Sequence, residues 1–244
     1  MTSTISSGLR RKISMTCVFA LLSLGAGRAL ADNKSVTAID ILLKPDAVMV
    51  QRAAATNQRL LKVFPDGFAL DAAHRPHITL VQRFVLTENL DKVYAAVGKV
   101  FADADVTSLK LEAFKYYYIP DKDLGLSGIV IKPTPALLAL EQKVIDAVTP
   151  YAVPTGTSAA FVTTPKDPTV LPALITYVSD FVPKHSGANY HPHVTTGVAP
   201  REYLDKMLQE PFEPFTFAPV GAAVYHIGHF GTAAKALKEW DLKR

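Results

Sequence analysis

Alternating strand and helix patterns along this 244-residue chain predict an α+β or α/β sandwich of mixed strands. Three observations carry that expectation. β-Branched and aliphatic runs of strand length recur, segments with apolar residues at helical spacing separate them, and one pentapeptide occurs twice, each time where a strand begins.

Val36 to Leu43 is rich in β-branched and aliphatic residues and reads as a strand, followed by a helical pattern from about Asp46 to Val63. After a loop through Pro65, Asp66 and Gly67, a strand is expected from His77 to Val85. Thr87 is placed to N-cap the next helix, whose apolar positions are Leu90, Val93, Tyr94, Val97, Val100 and Phe101. Strands at Leu109 to Ile119 and Leu126 to Lys132 come next. Thr134-Pro135 then supplies a cap and a first-turn proline for a helix through Val148. Prolines at 150, 154, 165, 168 and 172 argue against regular structure, so about 150–175 reads as an extended insertion able to form a lid. A strand from His193 to Ala199, a short helix from Arg201 to Leu208, and strands near Phe215 and from Val220 to Ile227 complete the order.

Residues 1–31 are set apart by composition. Arg10, Arg11 and Lys12 precede an apolar run from Met15 to Ala26 that ends in Ala29-Leu30-Ala31, the pattern of a secretory signal peptide cleaved near Ala31. The run is well short of the ~20 residues that a membrane-spanning helix requires. A periplasmic or secreted location is therefore expected, and the Arg10-Arg11 pair leaves the export route open. Residues 32–244 then read as a single domain with no further membrane segment.

Cleavage changes the charge balance. The leader holds Arg10, Arg11, Lys12 and Arg28 and no acid, so Lys plus Arg falls from 26 to 22 and equals the 22 Asp plus Glu. A formally neutral chain lacks the basic field of a polynucleotide binder. Cys17, the single cysteine, also leaves with the leader, which excludes disulfides, thiolate nucleophiles and cysteine-ligated zinc.

The informative feature is the repeat: Pro76-His77-Ile78-Thr79-Leu80 recurs as Pro192-His193-Val194-Thr195-Thr196, suggesting two half-domains. Side chains at i and i+2 share one face of a strand, so His77 pairs with Thr79 and His193 with Thr195, while Ile78 and Leu80 face the helical side. Two imidazoles and two hydroxyls around one cleft suit in-line displacement at phosphorus. One imidazole takes a proton from the attacking oxygen, the other gives one to the leaving oxygen, and the hydroxyls donate to nonbridging oxygens. Such a set requires no cofactor and no metal.

His77-Ile-Thr79 and His193-Val-Thr195, about a hundred residues apart among strand-helix repeats, resemble the two motifs of the 2H phosphoesterase superfamily, particularly bacterial 2′-5′ RNA ligase-like cyclic phosphodiesterases. The resemblance extends to Val224-Tyr225-His226-Ile227-Gly228 and Trp240. It implies an α+β bilobal fold of two pseudo-symmetric halves, with mixed or antiparallel sheets around a central cleft. It also implies hydrolysis of 2′,3′-cyclic or related phosphodiesters, with His77 and His193 as acid and base and Thr79 and Thr195 as phosphate-oxygen ligands. The expected partner is a small nucleotide or short RNA phosphodiester, with no protein partner. A noncatalytic periplasmic binder of phosphorylated or cyclic nucleotides, and a 2′-5′ RNA ligase, are the alternatives.

Blander roles are expected elsewhere. His74, His185 and His191 flank the cleft mouth or sit on the surface; His191 shares strand parity with His193, but no spaced carboxylate completes a metal site. Tyr116, Tyr117 and Tyr118 read as core or edge packing, although one could stack on a base. Gly228-His229-Phe230-Gly231-Thr232 reads as a simple turn.

Overall fold

A computed structural model describes residues 34–165 and 167–242; the expected signal peptide lies outside them. Strand β1 (Val36–Pro45) is buried along nearly its whole length, as its continuous apolar run requires of a strand with neighbours on both sides and cover on both faces. Asp46 ends it and caps helix α1 (Ala47–Val63). Its Oδ1 accepts from the N–H groups of Val48 and Met49 at 3.0 and 3.3 Å, and its Oδ2 accepts from Ala218 N–H at 2.9 Å. The buried stripe of α1 is Met49, Ala53, Thr56, Asn57 and Leu60.

Strand β2 (Ile78–Leu86) leads through a 3₁₀ turn at Thr87–Asn89 into α2 (Leu90–Asp103). Thr87 does not cap α2: its hydroxyl bonds those of Thr37 and Ser35 at 2.8 and 3.0 Å, tying the turn to the start of β1. Val93, Val97 and Phe101 of the expected stripe are buried, with Leu90, Tyr94 and Val100 packed at the margin. Strands β3 (Leu111–Asp121) and β4 (Leu124–Ile131) form a hairpin. Helix α3 (Pro135–Val148) starts as expected, the Thr134 hydroxyl accepting from Leu137 N–H at 3.1 Å.

The proline-rich segment is packed rather than extended. Strand β5 (Ala152–Val153) adds an edge to β2, Phe161 meets Phe84 edge-on with centroids 5.6 Å apart, and helix α4 (Pro172–His185) follows. Pro172 suits this helix because it occupies the first turn, where no N–H is required, whereas Pro183 in the last turn forgoes the bond an N–H would make to the Ser179 carbonyl. Then come β6 (His193–Pro200), α5 (Arg201–Met207), β7 (Phe215–Phe217), β8 (Pro219–Ile227) and β9 (Ala233–Asp241). β9 is an edge strand with Lys235, Lys238 and Glu239 on it, too charged to read as a strand in sequence.

The strands form two sheets, ordered β5-β2-β1-β8-β9 and β6-β4-β3-β7. Every pairing among the described residues is antiparallel. Helices α2 and α3 pack on the first sheet through Val93, Val97, Leu137 and Val144 against Ile78, Leu80 and Val85. Helix α1 runs along β6, and Leu60 joins Ala199, Leu204 and Met207 of β6 and α5. Among the described residues no helix is long and apolar enough to cross a membrane. The repeat is thus structural: β2 leads to α2 and β6 to α5. The two motifs start strands of different sheets.

Candidate active site

Both motif strands carry a β-bulge at the same repeat position. On β2, Val81 pairs with Ile41 and Thr79 with Leu42, which leaves Leu80 without a partner. On β6, Gly197 pairs with Ser127 and Thr195 with Gly128, which leaves Thr196 without one. The extra residue reverses the alternation, so Thr79 and Gln82 both face the cleft although they stand an odd three positions apart. The β6 bulge rests on Asn57, whose Nδ2 donates to Thr196 O at 2.9 Å, and on Gly197, whose φ of +139° excludes a side chain at low cost.

The two imidazoles are held alike. His77 Nδ1 lies 2.6 Å from the carbonyl of Arg75, and His193 Nδ1 lies 2.8 Å from that of His191. A carbonyl only accepts, so Nδ1 carries the proton in both rings and Nε2 is the atom available for chemistry. Across the cleft the Tyr190 hydroxyl donates to Thr79 O at 2.6 Å and joins the two motifs.

What lies opposite each motif differs. Gln82 of β2 pairs with Asp40 of β1, whereas the matching residue of β6, Val198, pairs with Leu126 of β4. Asp40 is fully buried, and its Oδ2 accepts from Thr79 Oγ1 and Gln82 Nε2, each at 2.8 Å, and lies 3.4 Å from His77 Nε2. Burial of His77 opposes its charged form, but the Asp40 hydrogen bond and charge, aided by the Arg75 carbonyl, outweigh it and raise the pKa. For His193 burial prevails: together with the charges of His191 and His77 it outweighs the help of the His191 carbonyl and Asp40, pushing the pKa down to about 4. One sequence motif thus gives two imidazoles of opposite tendency.

All four expected residues, His77, Thr79, His193 and Thr195, line one cavity of about 330 Å³ between the sheets. Thr79 departs from expectation in one respect: its hydroxyl has one proton, and that proton goes to Asp40 rather than into the cleft. Among the described residues the Thr195 hydroxyl has no such partner, so its proton is available. A second cavity of about 330 Å³ shares Thr79, Ile119, Tyr177 and His193 with the first. Tyr177, on the unforeseen helix α4, stands between them, its pKa pushed up to about 12 by burial and by the charge of Asp40.

The other flagged residues separate. His191 and His185 line the second cavity, while His74 is buried away from it, stacked on Phe68 and 3.0 Å from Asp71. Tyr116 and Tyr118 pack toward α5, where the Tyr118 hydroxyl bonds Asp205; Tyr117 alternates to the cleft, its ring 4.9 Å from His193 and 5.2 Å from His191. The 228–232 turn is a turn, yet Phe230 and Gly231 line the first cavity and Gly231 O accepts from Gln82. Sequence reasoning missed Asp40, Gln82 and Tyr177. The legible signal was Asp40 itself, a carboxylate inside an apolar central strand, where an unpaired charge is costly. Among the described residues no three His, Cys, Asp or Glu side chains converge as metal ligands.

No protein-family model and no curated protein sequence matches the chain. Solved structures do. TT0787 of Thermus thermophilus superposes with a TM-score of 0.50 at 14% identity, covering 84% of this chain and 98% of that one. Escherichia coli LigT, solved with ATP, gives 0.42 at 11% identity over 86% and 100% of the two chains. Usb1 of Kluyveromyces marxianus gives 0.40 at 12% identity over 86% and 99%. At such identities the likeness concerns the fold, and two antiparallel sheets meeting at a cleft with one His-x-Thr strand from each give this chain the 2H phosphoesterase-like fold.

Proposed function

We propose that the protein is an exported phosphodiesterase that hydrolyses 2′,3′-cyclic or related phosphodiesters by two-histidine acid/base catalysis without a metal. The observation that carries this reading is the pair of Nε2 atoms at one cleft, each with Nδ1–H fixed on a carbonyl and with pKa values displaced in opposite directions. Titratable groups driven apart by their surroundings divide acid from base.

His193, neutral above about pH 4, is the base: its Nε2 takes a proton from water as the water oxygen bonds phosphorus. His77, whose protonated form Asp40 favours, is the acid: its Nε2–H turns from Asp40 Oδ2, 3.4 Å away, to the leaving oxygen and passes to it as that P–O bond breaks. Thr195 donates to a nonbridging oxygen, where charge gathers in the transition state. Thr79 and Gln82 hold Asp40 in place.

Turnover of a nucleoside 2′,3′-cyclic phosphate by residues 32–244 is expected to continue undiminished in excess EDTA. Activity that disappears and returns with a divalent cation rejects the metal-free mechanism. Binding without product release favours a noncatalytic binder.

The export half of the proposal rests on the leader pattern of residues 1–31. Mass spectrometry of protein from the native cell should find an N-terminus near Asp32 in the periplasmic or extracellular fraction. A dominant cytosolic form that retains Met1 contradicts it.

A further inference from the structure

The cleft is divided at the histidines. Its two cavities adjoin at Thr79, Ile119, Tyr177 and His193, so there is room on either side of a phosphorus held there for one substituent in each. The first cavity is walled by Leu124, Leu126, Leu174, Val198 and Phe230. The second is framed by Tyr117, Phe181 and Tyr190. Two large apolar side chains stay exposed at the rim of the first, Ile119 at 44% and Leu171 at 39%.

Charge points the same way. Among the described residues neither cavity is lined by a lysine or arginine, the side chains that pair with phosphates flanking a scissile bond. Asp121 lines the first cavity instead, and Asp40 lies beneath it against His77. The nearby basic groups stand outside both linings: Lys44 and Arg75 open onto a further cavity that reaches His77 from behind, Lys44 engaged by Asp241 at 3.1 Å and Glu239 at 3.8 Å, and Lys115 acts on His191 from outside the second. A strand of nucleic acid with phosphates on either side of the reacting one would meet the Asp121 carboxylate and no lysine or arginine lining either arm.

We propose that this cleft selects phosphodiesters whose only charge is the reacting phosphate and whose two arms are uncharged and apolar or aromatic, in preference to oligonucleotides that carry further phosphates. This rests on the phosphodiesterase reading above and ranks acyclic diesters over cyclic ones, whose two ester oxygens sit on one ribose and cannot enter both cavities. A cavity of about 330 Å³ holds a short alkyl chain or a single ring system, and each apolar methylene buried there is worth about fourfold in kcat/KM.

The test uses two matched series with residues 32–244. In methyl against butyl p-nitrophenyl phosphate, which share one leaving group, kcat/KM is expected to rise roughly 50-fold with the longer arm. In one dinucleoside monophosphate with and without a 5′-terminal phosphate, the added phosphate is expected to cost about tenfold or more. Leu171→Lys, which places a cation at the rim, should recover most of that loss. Flat dependence on arm length, or a preference for the phosphorylated dinucleotide, overturns the inference while hydrolysis itself stands. If nothing is hydrolysed the catalytic reading fails instead. Calorimetry of dibutyl against dimethyl phosphate on the same protein still reads the preference, and equal affinities overturn it.

Discussion

Asp40→Asn is expected to shift the alkaline limb of the kcat/KM profile toward acid and to lower activity on that limb by about 10²-fold, the usual worth of one positioned acid. Wild-type activity should rise through about pH 4, as His193 loses its proton, and fall at the raised value where His77 loses its own. Asparagine keeps an oxygen for Thr79 and Gln82 but removes the charge that outweighs the burial of His77. The acid limb, set by His193, should move little. Stability gives an independent reading, because a histidine whose folded pKa is raised stabilises the fold below its unfolded pKa, and that contribution is lost as pH rises through the folded value. The wild type should therefore show a drop in Tm as pH rises from the ordinary histidine value through the raised His77 value, a drop that Asp40→Asn lacks. An unchanged alkaline limb in a folded Asp40→Asn protein means that Asp40 does not tune the acid.

The second large effect concerns the histidines themselves. His77→Ala and His193→Ala should each cost roughly 10³-fold in kcat, and the double variant little more than either, because groups that serve one step as a unit are strongly non-additive. Residual activity distinguishes the roles. The His193→Ala profile should lose the limb near pH 4, and the His77→Ala profile should lose the alkaline limb. Multiplying losses in the double variant, or near wild-type turnover in either single one, means that the repeat does not act as an acid/base pair.

The sequence disclosed what depends on local pattern. The Thr134 cap, the start of α1 near Asp46, the stripe of α2 and the strand starts at both motifs are read from neighbours a few residues apart, and they stand where expected. What depends on partners distant in sequence was hidden. Helix α4 was obscured because proline at a helix's first turn and proline in a loop look alike until the packing of Val178 and Phe181 is seen. Asp40 carried no motif, and its meaning comes from Thr79, Gln82 and His77 arriving from another strand. The bulges at Leu80 and Thr196 are register effects that no periodicity count contains, yet they turn Gln82 and Val198 toward the cleft. The unequal surroundings of the histidines therefore could not be anticipated from two nearly identical pentapeptides.

The place of β1 in its sheet bears on how the molecule assembles. β1 is the first strand, but it lies between β2 and β8, and Asp40 sits opposite Tyr225 from near the other end of the chain. Closing so long a loop costs entropy before its contacts form, and topologies dominated by distant pairing fold slowly. Until β8 docks, one flank of β1 is an open edge and the carboxylate that charges His77 has no enclosed site. Refolding should accordingly restore most helical signal before any turnover, with competence arriving on the final strand rather than accumulating piece by piece.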